Sequence, residues 1–330
     1  VTEINSSREL WLRLVVGLII GAGAIALTVR TVDLEEVTTT LRATNPTLTL
    51  AALGSLLLTT YAKTARWSAL AGLRQDASWL LLPGLVIGQL VNTLIPARLG
   101  DLARAVVGSE ATGLGKAFLL GTIVLEKLID GVCVLLLAAL VLPFLRLPEW
   151  LLASGLDAAL GVLALGVGIA TLLLVGDRLL ALVARPLARV PGRWGVRLTR
   201  AVADAIRGLG GLRTWRQRGW VGWWSFVAWT TMVATNVLVF QAVGLAVDVS
   251  AAVIVLLAVT VGGSVPSIPG RVGVFHSLVA APLILSGVDP ARAVSAAIVL
   301  HLLVVMTQVV LGVFFIWRAS VDPRRLAALK

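Results

Sequence analysis

The sequence predicts an all-α polytopic integral membrane protein, and three observations predict it. The chain has 330 residues, 58% of them hydrophobic and 14% charged, more apolar surface than a soluble domain can hide. Several stretches reach about 20 apolar residues, the length a helix needs to cross a hydrocarbon core about 30 Å thick. The runs are unbroken and lack the in-out alternation a membrane β-barrel needs. The expected architecture is a single membrane domain over 1–330, with about six full spans and two re-entrant broken helical hairpins in an inverted-topology repeat.

Charge and cysteine content narrow the function. A net charge of +11 would suggest nucleic acid in a soluble protein, but here it follows from cationic cytoplasmic loops. Nucleic acid is therefore not an expected partner. Cys133 is the single cysteine, which excludes an internal disulfide and a cysteine-rich metal site. Two histidines and no His/Cys cluster argue against zinc, so no metal and no cofactor is expected.

The elements follow in order. Leu12 to Val29 reads as a retained first span, since no small-residue cleavage site with a polar mature start follows it. Thr31 to Asn45 carries Asp33, Glu35 and Glu36 with Leu34, Val37 and Leu41 at helical spacing, the pattern of a helix lying on a membrane surface. Pro46 opens a second span, 47–65, closed by Lys63, Arg66 and Trp67, which read as interfacial anchors. Residues 80–115 hold Pro83, Gly84, Gly88, Gln89, Asn92 and Thr93 and are too interrupted for a clean span. They read as a re-entrant hairpin, whose non-helical backbone must be satisfied by protein or water. Spans follow at 117–144, with Glu126, Lys127 and Asp130, and at 151–175.

Residues 177–219 hold ten arginines, with Trp194, Leu198, Val202, Ala205 and Leu209 at helical spacing between them. This is a basic amphipathic segment suited to the cytoplasmic membrane surface. Trp220, Trp223 and Trp224 open the span 220–243; a second broken hairpin covers 251–287; Asp289, Pro290 and Arg292 form a short loop; and 293–317 is the last span. The cation bias places 177–219 and both termini in the cytoplasm, in the inner membrane of a bacterium or archaeon.

The two halves resemble each other. Ile95-Pro96-Ala97-Arg98-Leu99-Gly100 recurs as Ile268-Pro269-Gly270-Arg271-Val272-Gly273. Pro96 lies 49 residues past Thr47, and Pro269 lies 49 past Trp220. The repeat units are 47–144 and 220–317, with the hairpins entering from opposite sides, as in many secondary transporters.

At each tip a proline ends one half-helix and a glycine permits a tight turn. The next half-helix begins with unpaired N–H groups and a positive dipole end, where a nearby arginine makes an anion site. Arg98 and Arg271 are the phosphate candidates, with Arg104 third; the alternative is that they snorkel to lipid head groups. Asp101 either caps the half-helix or pairs with Arg98 or Arg104. Asn92, next to the first tip, is a further candidate for the site. Glu126 lies about 14 Å along its helix, near the bilayer middle, and shares a face with Asp130 at i, i+4. These two and Lys127 either line a polar or proton path or form a structural ion cluster with Arg98 or Arg104. A neutral amide at 126 is expected to leave folding intact. His276 and His301 either occupy the comparable depth in the second unit or pack between helices. Gln89, Thr93, Asn236, Gln241 and Gln308 are expected to hydrogen-bond between helices.

Three motifs carry a resemblance: the run from Asn92 to Arg104, the run from Glu126 through Asp130 to Gly131, and the run from Pro269 to Phe275. In that order they resemble the flippase-like membrane region of lysylphosphatidylglycerol synthases, over about Leu12 to Trp317. Lys127 stands where that family usually has Arg. The chain stops soon after its last span, so the expectation is a stand-alone member without the synthase domain, and not an enzyme. The resemblance implies movement of a lipid between leaflets, with membrane lipids bearing an anionic or zwitterionic phosphate head group as partners. A homo-oligomer is compatible with the sequence. The alternatives are an intramembrane transferase acting on a lipid-linked substrate, or a membrane scaffold for a partner enzyme. Against the transferase, the sequence holds no nucleotide loop, metal-ligand spacing or nucleophile triad.

Overall fold

The computed structural model describes residues 34–94, 99–141, 200, 202–208, 212, 214–263 and 271–320. The expected spans 12–29 and 151–175, most of the basic segment 177–219, the tip residues Pro96, Arg98 and Pro269, and the tail beyond 320 lie outside them. All regular structure among the described residues is helical.

Helix α1 (Leu34–Arg42) is followed by α2 (Pro46–Leu70). Asn45 starts α2: its Oδ1 accepts the N–H groups of Thr47 and Leu48 at 2.9 and 3.2 Å. Pro46, which has no N–H to satisfy, fills the first helical position. A 3₁₀ stretch (Gln75–Leu81) leads into α3 (Leu82–Leu94), and α4 (Gly100–Thr112) and α5 (Lys116–Val141) follow. After a short helical stretch at 202–208 come α6 (Trp215–Ala242), α7 (Val249–Gly262), α8 (Val274–Leu285) and α9 (Pro290–Ser320). The start of α9 repeats that of α2, with Asp289 Oδ1 accepting from the N–H groups of Ala291 and Arg292.

Three helical stretches are long and apolar enough to cross a membrane: Gln75–Leu94, Trp215–Ala242 and Pro290–Arg318. With 25 and 26 residues, α2 and α5 are also of spanning length, but they carry ionisable side chains. The 13 residues of α3 end the Gln75–Leu94 stretch, whereas α4, α7 and α8 stand as helices of only 13, 14 and 12 residues. At 1.5 Å per residue each covers only about 18–21 Å, short of the hydrocarbon thickness. The chain is a multi-pass membrane protein.

The described chain forms two compact units, each drawing residues from both halves of the sequence. Unit one comprises the described residues of 1–59, 89–100 and 230–330, and unit two those of 60–88 and 101–229. The core of unit one gathers Val239, Phe240, Val255, Val279, Leu283 and Ala296. Leu41 of α1 joins it, so the apolar face of that amphipathic helix meets protein. Asn236 Nδ2 donates to Ala252 O at 3.0 Å, Ser55 Oγ donates to Thr231 O at 2.9 Å, and Thr93 bonds Gln308. These are the interhelical hydrogen bonds expected of polar residues in apolar helices.

Unit two corrects the reading of Arg66 and Trp67 as interfacial anchors. Both are 0% exposed. The helix does not end near residue 65 but continues to Leu70, and this face turns inward. Trp67 packs with Leu81, Ala105, Leu119 and Ile123, while Leu70, Leu125 and Val221 form a neighbouring cluster.

The helical stretch 202–208 docks on α5 through glycine. A Cβ at Gly121 would stand 2.0 Å from Ala205 O, and one at Gly208 would stand 2.1 Å from Phe118 O. The end of the basic segment is therefore held by protein as well as by any lipid surface, because only glycine lets the two backbones approach this closely. Gly121→Ala is expected to destabilise the protein by about 1–3 kcal/mol through overpacking. Gly222→Ala, at a helical position with nothing within 4 Å of the new carbon, is expected to be neutral or stabilising. Thermal unfolding of the two variants in detergent checks this; equal midpoints would remove the close-contact account.

Candidate functional site

The most polar buried region of unit two is built up from Trp67. Its indole Nε1 donates to Thr122 Oγ1 at 2.9 Å, which fixes the ring against α5. A Cβ at Gly108 would come within 2.9 Å of the ring, so α4 lies directly on it. The guanidinium carbon of Arg104 sits 3.9 Å above the ring centroid, a cation–π contact that orients the arginine.

From that position Arg104 reaches Glu126 with both terminal nitrogens. Nη1 donates to Oε1 at 3.2 Å and Nη2 to Oε2 at 2.5 Å. Arg66 approaches the same carboxylate from α2, with Nη2 donating to Oε1 at 3.2 Å. It also grips Asp130 with two bonds, Nη1 to Oδ1 at 2.7 Å and Nη2 to Oδ2 at 3.1 Å, and its Nη1 lies 3.5 Å from Ser225 Oγ. Two-pronged arginine–carboxylate pairs of this kind are the strong form of ion pair. Arg104 and Glu126 are each only 5% exposed. Glu126 and Asp130 share one face of α5, as their i, i+4 spacing predicts, and Arg66 ties the two together.

Other sequence-predicted residues take different partners. Lys127 pairs with Asp101 at 3.1 Å. Asp101 therefore neither caps α4 nor pairs with Arg104. It is the second residue of α4, where a carboxylate suits the helix dipole, and Arg104 is already held by Glu126. The capping role falls to Asn92, whose Oδ1 accepts the Gly100 N–H at 2.9 Å. Arg98 lies outside the described residues.

Arg271 belongs to unit one. Its backbone is in the left-handed region at φ 56°, unusual for a residue with a side chain, and Gly273 two residues on has φ 82°. The guanidinium folds against the end of α7, with Nη1 3.0 Å from where a Cβ at Gly263 would stand. His276 and His301, 25 residues apart on α8 and α9, touch directly: Nε2 of the first is 3.1 Å from Nδ1 of the second. Gly273 N–H donates to His276 Nδ1 at 3.2 Å. With neutral rings this bond places the His276 proton on Nε2, facing His301. Phe275 stacks on the His301 ring at 4.7 Å.

The sequence reading missed Arg66 as a partner of the carboxylates and missed the contact between the histidines. A signal for Arg66 was present. Thr59, Thr60, Thr64 and Ser68 surround it on α2 and are all buried, and such a polar run inside a span belongs against protein. For the histidines no local pattern links 276 to 301.

Comparison with known proteins agrees with this picture. A family model described as the lysylphosphatidylglycerol synthase TM region matches residues 14–312, and the chain belongs to that family. Neither a curated protein nor a solved structure matches the chain.

The geometry reverses the expectation that a neutral amide is tolerated at 126. Glu126→Gln removes the counter-charge of two buried guanidinium groups, and breaking such a pair costs about 3–5 kcal/mol. Thr122→Val, which leaves only the Trp67 N–H without its acceptor, is expected to cost about 1–3 kcal/mol. Thermal or denaturant unfolding of the purified variants checks the order. A Glu126→Gln protein as stable as the parent would show that the ion cluster does not hold the fold.

Proposed function

We propose that the chain is a lipid flippase that moves a phosphate-bearing lipid between leaflets, whether a phospholipid, an aminoacyl-phospholipid or a polyprenyl-phosphate-linked lipid. Membership of the family gives it a membrane lipid-related role. The observation that carries the finer reading is the buried group of Arg66, Arg104, Glu126 and Asp130. Ionisable side chains at membrane depth are costly and mark substrate or ion pathways by default. The short helices α4, α7 and α8 support the rest of the proposal, two re-entrant hairpins in an inverted repeat. The acyl or polyprenyl tails stay in lipid along the exposed apolar sides of helices such as α9, where Leu302, Val310, Val313 and Phe314 are exposed. The location is the inner membrane, with both termini in the cytoplasm.

Reconstitution into liposomes with a panel of head-group-labelled lipids tests the proposal. Movement of label between leaflets without chemical change is the expected result. A new product would make the protein a transferase, and neither movement nor product would leave a scaffold. Orientation is tested by single cysteines placed in 177–219 and in the tail of a Cys133→Ser protein. They are expected to react only from the cytoplasmic side, and labelling from outside would overturn the inverted repeat.

A further inference from the structure

We infer that unit two contains an oxyanion site for the lipid phosphate, formed by the Lys63 ammonium, the Nε groups of Arg66 and Arg104, and the indole Nε1 of Trp229. The identity of the ligand as a lipid rests on the translocation reading; the existence of the site does not.

The first observation is an imbalance of donors. Among the described residues, the buried side-chain atoms without a hydrogen-bond partner are Arg66 Nε, Arg104 Nε and Trp229 Nε1. All three are N–H donors, and among the described residues no buried acceptor oxygen is left over. The side chains that carry them are 0%, 5% and 6% exposed. Buried donors in native proteins are nearly always satisfied, so three in one unit call for an acceptor that the described residues do not supply.

The second observation is an imbalance of charge. Glu126 and Asp130 are the carboxylates of the cluster, and Arg66 and Arg104 already occupy both. Lys63, partly buried, is within electrostatic range of all four but forms no ion pair among the described residues. Asp101 is taken by Lys127. Counted over the described residues with Lys63 protonated, the cluster has three positive charges against two negative.

The third observation places the groups together. Lys63 lies one turn before Arg66 on the same face of α2. Val221 packs with Ala69 and Leu70, and Ser225 meets Arg66, so α2 and α6 run antiparallel here. One further turn along each helix brings Lys63 and Trp229 to the same level. Glu126 Oε1 accepts from both Arg66 and Arg104, so the two guanidinium groups meet at one oxygen, one turn from that level.

A phosphate fits this set because it brings negative charge and several acceptor oxygens at once. A neutral lipid would leave the charge unbalanced, and a hydroxyl-rich head group would bring donors where donors are already in excess. A lipid fits better than a free anion because Tyr61 on α2 and Trp223 and Phe226 on α6 expose apolar surface in the same unit.

The test titrates the purified full-length protein in detergent, by calorimetry, with dihexanoylphosphatidylglycerol, with dihexanoylglycerol and with inorganic phosphate. The parent protein is expected to bind the phosphate-bearing lipid and not the neutral one. Lys63→Met should weaken that binding roughly ten- to a hundredfold, as loss of a hydrogen bond to a charged group does. Lys63→Arg should restore part of it. Trp229→Phe, which removes one N–H and keeps an aromatic ring, should weaken binding about three- to tenfold. It decides the matter if Lys63→Met does not fold. Parent-like binding by the folded variants would overturn the site. Inorganic phosphate binding as well as the lipid, with the same dependence on Lys63, would keep the oxyanion site and assign it to a free anion. Translocation by the parent protein is measured in parallel. Binding without translocation removes the flippase reading and leaves the site; translocation with Lys63-independent binding does the reverse.

Discussion

The constraint on which unit two depends is that a charge inside an apolar helical protein must meet its opposite with good geometry. Taking a carboxylate or guanidinium out of water carries a penalty of several kcal/mol, offset only by close pairing and by hydrogen bonds to the remaining atoms. Glu126 meets this condition for two arginines at once. The condition then reaches outward. Arg104 has the right direction because Trp67 lies beneath it, and Trp67 lies flat because Thr122 holds its nitrogen. There is room for that indole because Gly84 and Gly108 bring no side chain to its edge. One carboxylate thus sets how α2, α4 and α5 meet.

The same rule acts on the backbone wherever a helix is interrupted. A broken helix frees N–H groups that find no water in an apolar setting. Asn45 and Asp289 accept them at the starts of α2 and α9, and Asn92 accepts one at the start of α4. Ahead of α8 the acceptor is the ring nitrogen of His276. That last choice ties a turn to a titratable group, for the ring that holds the Gly273 N–H also touches His301. In this part of unit one the left-handed backbone at Arg271 and Gly273 and the histidine pair belong to one local structure.

What the sequence made legible was what depends on neighbours along the chain. Apolar length gave the helices, and Pro46 gave the start of α2. The i, i+4 step gave the shared face of Glu126 and Asp130. Pairing between helices was not legible, because it depends on packing. Arg66 is 60 residues from Glu126 and 64 from Asp130, and its closeness to an apparent helix end suggested an interface. The partners of Asp101 and Asn92 were hidden for a similar reason. Both are polar and near a helix start, and only the fold shows that Lys127 is opposite one and the Gly100 N–H within reach of the other.

A cluster kept only for stability should close on itself, each cation with its own anion. Well-packed apolar residues often stabilise a protein as well as a buried ion pair does or better, so a larger buried cluster is weak evidence for a purely structural role. The cluster around Glu126 does not close. It ends with a lysine that has no carboxylate of its own, and with arginine and tryptophan N–H groups that have no acceptor, among the described residues. Folding alone gives no reason for that imbalance to have a single sign. An oxyanion that arrives and departs does, since a site fully neutralised by its own chain would hold no place for it, and one left far from neutral would not release it.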